Sequence, residues 1–171
     1  LLRRVTYPYL VSKRLDALRW HPALIERISA LLGDQVVQIV NQINFNPALR
    51  GTGWGWHQDY RFRRPGVVGL AHSFVQTLTA IDHCNVESGG LRLMPSSHLC
   101  GALQLDRDGR LSADYFDETS AVSPLLEPGD VIAFAPYTIH GSTPNVSGHS
   151  RRVYINGYAA SWASKGHGQP M

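Results

Sequence analysis

Glu127-Pro128-Gly129-Asp130-Val131-Ile132-Ala133-Phe134-Ala135-Pro136-Tyr137-Thr138-Ile139-His140-Gly141-Ser142 decides the fold. It reads as a tight turn, a short apolar strand, a proline break and a histidine at a core strand. The same grammar repeats on both sides. Residues 122–126 and 152–160 read as further strands. Upstream, residues 74–81 form a strand, Glu87-Ser88-Gly89-Gly90 a turn, and residues 91–94 a short strand ended by Pro95. Residues 36–45 are rich in β-branched side chains, with polar Gln38, Gln42 and Asn44 at even spacing, which suits a strand with one wet face. Gly51, Gly53 and Gly55 mark a loop carrying Trp54 and Trp56, and residues 106–117 read as a polar surface excursion. Before these, Pro22 opens a helix whose Leu24, Ile25, Ile28, Leu31 and Leu32 share one face, with Gly33 as its stop. Residues 15–20 read as a shorter helical stretch. One N-terminal helical region followed by many short strands favours an antiparallel, mainly β jelly roll. Strand-helix alternation, the mark of a parallel sheet, is absent.

The chain has 171 residues, enough for one domain with a core. We expect residues 1–171 to be a single catalytic domain. The start, Leu1-Leu2-Arg3-Arg4-Val5, has no Met and no apolar run of signal-peptide length, so the expectation is a chain that lacks some N-terminal sequence of a longer protein. Net charge is +3 and the isoelectric point about 9.1. That balance suits an anionic ligand and gives no stripe for nucleic acid. No apolar run reaches membrane-spanning length. Cys84 and Cys100 form no metal or redox spacing, and two reduced thiols suit a cytoplasmic protein.

The chemistry sits in three separated pieces. In an extended Trp56-His57-Gln58-Asp59, residues 57 and 59 project to one side, offering an imidazole and a carboxylate to a transition metal. Alone this is a weak signal, equally readable as two surface polar residues. His140 can complete a three-ligand set, although a lone histidine there is more often structural. Arg151-Arg152 opens the last strand, and a guanidinium matches a carboxylate in bidentate fashion. Strand alternation aims only one of the two inward. Two histidines and one carboxylate on one side of a metal make the facial triad of non-haem Fe(II) oxygenases, which leaves positions for a chelating 2-oxo acid and O₂.

The ordered set of His57-x-Asp59, Glu87-x-Gly89-Gly90-Leu91-x-Leu93-x-Pro95-x-Ser97-His98, Pro128-Gly129-Asp130 and His140-Gly141-Ser142, with Arg151 following, resembles the phytanoyl-CoA dioxygenase family. Ectoine hydroxylases and many bacterial biosynthetic oxygenases belong to it. The resemblance covers roughly residues 38–158. It implies a double-stranded β-helix (jelly roll, cupin-like) with the N-terminal helices packed outside, Fe(II), the co-substrate 2-oxoglutarate, and O₂. It further implies His57, Asp59 and His140 as metal ligands and catalytic centre. Arg151 would bind the far carboxylate of 2-oxoglutarate, Ser142 would assist it, and Asn44 would contact the co-substrate. The expected reaction hydroxylates an unactivated C–H bond of a small molecule, releasing succinate and CO₂. In related halogenases a small residue replaces the carboxylate, so the presence of Asp59 favours hydroxylation. The family's usual Pro-Gly-Ser-His is here Pro95-Ser96-Ser97-His98. If that glycine position has positive φ, Ser96 costs stability and no chemistry.

Arg61, Arg63 and Arg64 are candidates for receiving an anionic substrate group, against the plain alternative of a solvated charge run. His21, His72, His83, His149 and His167 read as structural or surface residues, and His98 as a structural partner in its turn. Other functional classes stay open at this stage. A jelly-roll metal-dependent isomerase would bind metal and not 2-oxoglutarate, and a vestigial binding module would show affinity without turnover. A carbohydrate-binding β-sandwich would leave the triad and the arginine unexplained.

Overall fold

The computed structural model describes residues 2–62, 73–108 and 110–163, with the backbone alone at Arg61 and Phe62. Arg63, Arg64, His72, His167, the side chain of Arg61 and residues 164–171, most of the tail after Trp162 that the sequence leads one to expect to fray, lie outside the described residues. In chain order the elements are β1 (Arg4–Thr6), α1 (Lys13–Arg19), α2 (Pro22–Leu32), β2 (Val36–Asn46), β3 (Trp54–His57), β4 (Phe74–Ala80), β5 (Leu91–Leu93), β6 (Val131–Phe134), β7 (His140–Ser142) and β8 (Arg151–Ala160). A five-stranded sheet has the order β1-β2-β8-β4-β6 and a three-stranded sheet the order β3-β7-β5. Every pairing is antiparallel. This is the mainly β jelly roll expected, with helices on the outside of the larger sheet.

The helices dock because the outer face of that sheet offers both apolar and polar anchors. Ile28 of α2 is buried with Val75 and Tyr158, and Leu24, Ile25 and Leu32 pack around them. Burying such a side chain contributes about 1.5–3 kcal/mol. The Tyr158 hydroxyl donates to Arg19 O at 2.5 Å, and the Tyr154 hydroxyl to Leu15 O at 3.1 Å. Carbonyls of α1 thus gain partners that a short helix cannot supply itself. Gly33, at φ +88, ends α2.

β2 corrects one expectation. A register shift falls between Gln38 and Val40. Such a bulge reverses which residues point inward. Gln38 therefore faces outward, bonding Asn156 Oδ1 at 2.8 Å beside Asn41 at 2.7 Å. Gln42 and Asn44 face the interior, so even spacing does not put all three on one face. Two further segments differ. Residues 54–57 are a strand, not a loop, and residues 122–126 make only isolated bridges, Val122 with Leu93 and Leu126 with Cys84. The excursion at 106–117 also does more than cover surface. Leu111 is buried with Met94 and Ile139, and Trp56, Phe116 and Leu105 close around them.

Among the described residues no helix is long and apolar enough to cross a membrane. Both cysteines are free thiols, Cys84 buried and Cys100 exposed. His83 pairs with Glu127 at 2.9 Å, and the exposed His98 contributes its carbonyl, which accepts from Gly101 N–H at 3.4 Å.

Ser96 adopts φ +59, ψ 0, the left-handed region where a side chain costs about 1–2 kcal/mol. A glycine there would relieve that strain while adding unfolded-chain entropy worth about 0.4–1 kcal/mol. Ser96→Gly is therefore expected to stabilise the protein by about 0.5–1 kcal/mol in urea unfolding. A lower midpoint than wild type would contradict this account of the turn.

Candidate metal centre

Antiparallel pairing sets His57 directly opposite His140, at the end of β3 and the start of β7. Their ring centroids lie 4.1 Å apart. Each ring is oriented by its own backbone. His57 Nδ1 is 2.8 Å from Gly55 O, and His140 Nδ1 is 2.9 Å from Thr138 O. A carbonyl only accepts, so Nδ1 carries the proton in both rings and Nε2 presents its lone pair. Both Nε2 atoms converge on one oxygen, Asp59 Oδ1, at 3.6 and 3.7 Å. Asp59 does not continue the strand; it opens a short 3-10 turn, Asp59–Phe62. The turn brings the carboxylate round to the imidazoles in place of the simple alternation expected.

These three buried residues form a group whose donor atoms all lie within 4.8 Å of one another. Donors about 2.1 Å from a shared ion stand about 3–3.4 Å apart. Each imidazole–carboxylate spacing, at 3.6 and 3.7 Å, therefore needs only a few tenths of an ångström of closure around a transition metal. Nitrogen donors with a single carboxylate suit Fe(II) and disfavour Ca²⁺.

Two residues to which the sequence assigned no role hold the centre in place. Gln58, between the candidate ligands, is fully buried. Its amide donates to Tyr137 O at 2.6 Å and Gly101 O at 2.8 Å, and its carbonyl accepts from Leu103 N–H at 3.0 Å. Ser97 accepts from Ile139 N–H at 2.8 Å and donates to Met94 O at 2.7 Å. That clamps the residue preceding His140. Ser97 belonged to the quoted motif, but nothing in its spacing showed what it holds.

The group opens on a cavity of about 540 Å³ between the sheets, within the usual range for small-molecule sites. Arg151, Ser142 and Asn44 all line it. Arg151 points inward and is buried, while Arg152 points outward and grips Asp82 at 2.7 and 2.8 Å. That ion pair also pulls the Asp82 carboxyl below its usual range. Arg151 donates to Gly89 O through one terminal nitrogen. Gly89 has φ +71, and a Cβ there would overlap Asn46 Nδ2 and Thr143 O, so the Gly89-Gly90 turn is specific to glycine at this approach. Burial pushes the Arg151 guanidinium below its ordinary range, and the charge of Arg3 adds to this. Arg151 Nε, Asn44 Oδ1 and Gln76 Oε1 are buried with no hydrogen-bond partner among the described residues. Such atoms cost about 1–3 kcal/mol each when left unpaired. Arg151 Nε, a donor, fits a carboxylate guest such as a 2-oxo dicarboxylate, whereas the Asn44 and Gln76 oxygens accept only and call for a donor such as water or a hydroxyl. Ser142 Oγ meanwhile accepts from Trp54 N–H at 3.1 Å. Gln76, Arg3 and Arg4 also line the cavity. Gln76 shares the parity of Phe74 and Leu78, but the sequence alone did not say which parity faces in.

The profile of the phytanoyl-CoA dioxygenase (PhyH) family matches residues 8–153. The chain belongs to that family. Its members are Fe(II)- and 2-oxoglutarate-dependent oxygenases, and those cofactors fit the site just described. The chain is 30% identical over 135 residues to a methylphosphonate hydroxylase of Gimesia maris, covering 77% of this chain and 48% of that one. It is 30% identical over 176 residues to a probable alpha-ketoglutarate-dependent hypophosphite dioxygenase of Stutzerimonas stutzeri, covering 94% and 58%. Among solved structures, the non-heme monooxygenase ThoJ in its apo form aligns with a TM-score of 0.79 at 26% identity, over 91% of this chain and 58% of that chain. The chain spans about half the length of the curated relatives it matches.

Removing Gln58 would take away the partner it gives to two carbonyls and one N–H beside the metal ligands. Gln58→Ala is expected to cost about 3 kcal/mol in urea unfolding and to weaken metal binding in titration. A loss below about 0.5 kcal/mol would show that these contacts do not hold the centre.

Proposed function

We propose that residues 1–171 form the catalytic domain of an oxygenase that hydroxylates a C–H bond of a small, anionic molecule, using Fe(II) and 2-oxoglutarate. The observation that carries this reading is the convergence of His57 Nε2, His140 Nε2 and Asp59 on a cavity that also holds buried Arg151, a guanidinium with no carboxylate partner among the described residues. His57, Asp59 and His140 would hold the metal. Arg151 would receive the far carboxylate of the co-substrate, with Ser142 and the Asn44 amide beside it.

When bound, iron and 2-oxoglutarate together activate O₂, one oxygen atom leaving in succinate as CO₂ is lost and the other entering the substrate C–H bond. The chain supplies position and surroundings. The Gly55 and Thr138 carbonyls keep both imidazoles in one tautomer and raise their basicity. Asp59 supplies the single negative charge of the ligand set and fills the position that a halide would need. Phe134, Leu78, Val153 and Ile155 form an apolar wall, which excludes water from the reacting atoms. The relatives named for methylphosphonate and hypophosphite support an anionic substrate, as does the arginine content of the cavity.

Anaerobic addition of Fe(II) and 2-oxoglutarate should give the weak visible charge-transfer band of the bidentate chelate. Asp59→Ala should lose the band through loss of metal, and Arg151→Ala should need at least about tenfold more 2-oxoglutarate to reach it. Metal binding with no band in wild type would favour an isomerase-like or vestigial site and remove the role given to Arg151.

A further inference from the structure

The cavity carries more positive charge than the co-substrate can use. Among the described residues its lining includes Arg3, Arg4 and Arg151, and one acidic residue, Asp59. Resting on the reading above, the charges can be summed. Iron(II) contributes two positive charges and Asp59 one negative, 2-oxoglutarate two negative and Arg151 one positive, with neutral imidazoles. That set is neutral. Arg3 and Arg4 remain, two positive charges with no carboxylate besides Asp59 lining the same space among the described residues.

Their placement follows from β1. Arg4 is the register partner of Asn44 on β2, and paired residues project to the same side of a sheet. Asn44 faces the cavity, so Arg4 does too. Arg4 is exposed, and its side chain has no hydrogen bond or ion pair among the described residues. Arg3 reaches from the same strand end to the segment before β3, donating to Thr52 O at 3.1 Å and Thr52 Oγ1 at 2.8 Å. It spans from the large sheet to the small one, and both its partners are neutral. The Arg3 charge is felt at Arg151, whose guanidinium it disfavours. Like charges brought together across one cavity without a counter-charge are costly, and an anion between them removes the cost.

We propose that Arg3 and Arg4 form the substrate-recognition rim of this cavity and that they select a doubly charged phosphorus oxyanion, a phosphonate or phosphate group, on the molecule to be oxidised. A guanidinium pair meets a tetrahedral dianion with several charge-assisted hydrogen bonds, and a singly charged group of the same shape gains less.

The test is anaerobic titration calorimetry on protein loaded with Fe(II) and 2-oxoglutarate. The probes are methylphosphonate and inorganic phosphate, above their second ionisation, and methanesulfonate as the singly charged control. Wild type, Arg4→Gln and the double variant R3Q/R4Q are compared, with thermal melts to confirm folding. Wild type should bind one of the two phosphorus dianions at least about tenfold more tightly than methanesulfonate. Which of the two is tighter distinguishes a C–P compound from a phosphate. Arg4→Gln should reduce the preference with 2-oxoglutarate affinity unchanged within about twofold, and the double variant should abolish the preference. Equal binding of all three probes by wild type, or a preference that survives in R3Q/R4Q, overturns the proposal. The same titrations on protein without metal or co-substrate separate the two readings. A preference that depends on Arg3 and Arg4, in a protein that never binds 2-oxoglutarate, would sink the oxygenase reading and leave the rim standing.

Discussion

His57 and His140 face each other across two adjacent antiparallel strands, and everything the site can do follows from that pairing. Directly opposed residues in such a ladder lie about 4.5–5.5 Å apart. Two imidazoles are therefore held at metal-sharing distance by backbone hydrogen bonds, without relying on the reach of flexible side chains. Each ring is then locked by a carbonyl two residues before it, Gly55 for one and Thr138 for the other. The third donor comes from a turn whose start is pinned by buried Gln58. Preorganisation of this kind spends folding energy in advance, so that metal binding does not have to order the ligands.

The larger sheet does a different job. Its outer face is covered by α2 and by the Tyr154 and Tyr158 anchors of α1, which frees the inner face to be a binding wall. On that inner face apolar Leu78, Val153 and Ile155 alternate with the polar groups of Asn44, Gln76 and Arg151. The bulge in β2 sorts polar residues between the two faces, sending Gln38 to the helix side and Asn44 to the cavity. Arg4 of β1 and the preceding Arg3 add two more arginines to the cavity lining.

Much of this was legible in the chain itself. The turn at Gly129, the helix between Pro22 and Gly33, and the strands around Val36, Phe74 and Arg151 carry local signals strong enough to read. The choice of Arg151 over Arg152 rests on the family spacing and not on a local signal; the structure buries Arg151 and pairs Arg152 with Asp82. The Ser96 backbone strain was likewise foreseeable from a glycine position filled by serine. What could not be read depends on register and distance. A bulge reverses side-chain parity without any residue that announces it, which hid the outward Gln38. Gln58 and Ser97 act through carbonyls and N–H groups tens of residues away. Trp54 and Trp56 sit between glycines that mimic a loop, yet pairing to Ser142 makes the segment a strand. β1 is three residues long, too short for periodicity to mark, and only its ladder with β2 places Arg4 at the cavity.

The central claim is that one ion binds His57, Asp59 and His140 in the cavity that Arg151 lines. An anaerobic crystal structure with Fe(II) and 2-oxoglutarate tests it most directly. The account predicts a single ion about 2.0–2.2 Å from His57 Nε2, His140 Nε2 and an Asp59 oxygen, chelated by the co-substrate, whose far carboxylate rests on Arg151. Metal elsewhere, or a co-substrate carboxylate held by Arg3 and Arg4 with Arg151 still engaged only by Gly89, would contradict it.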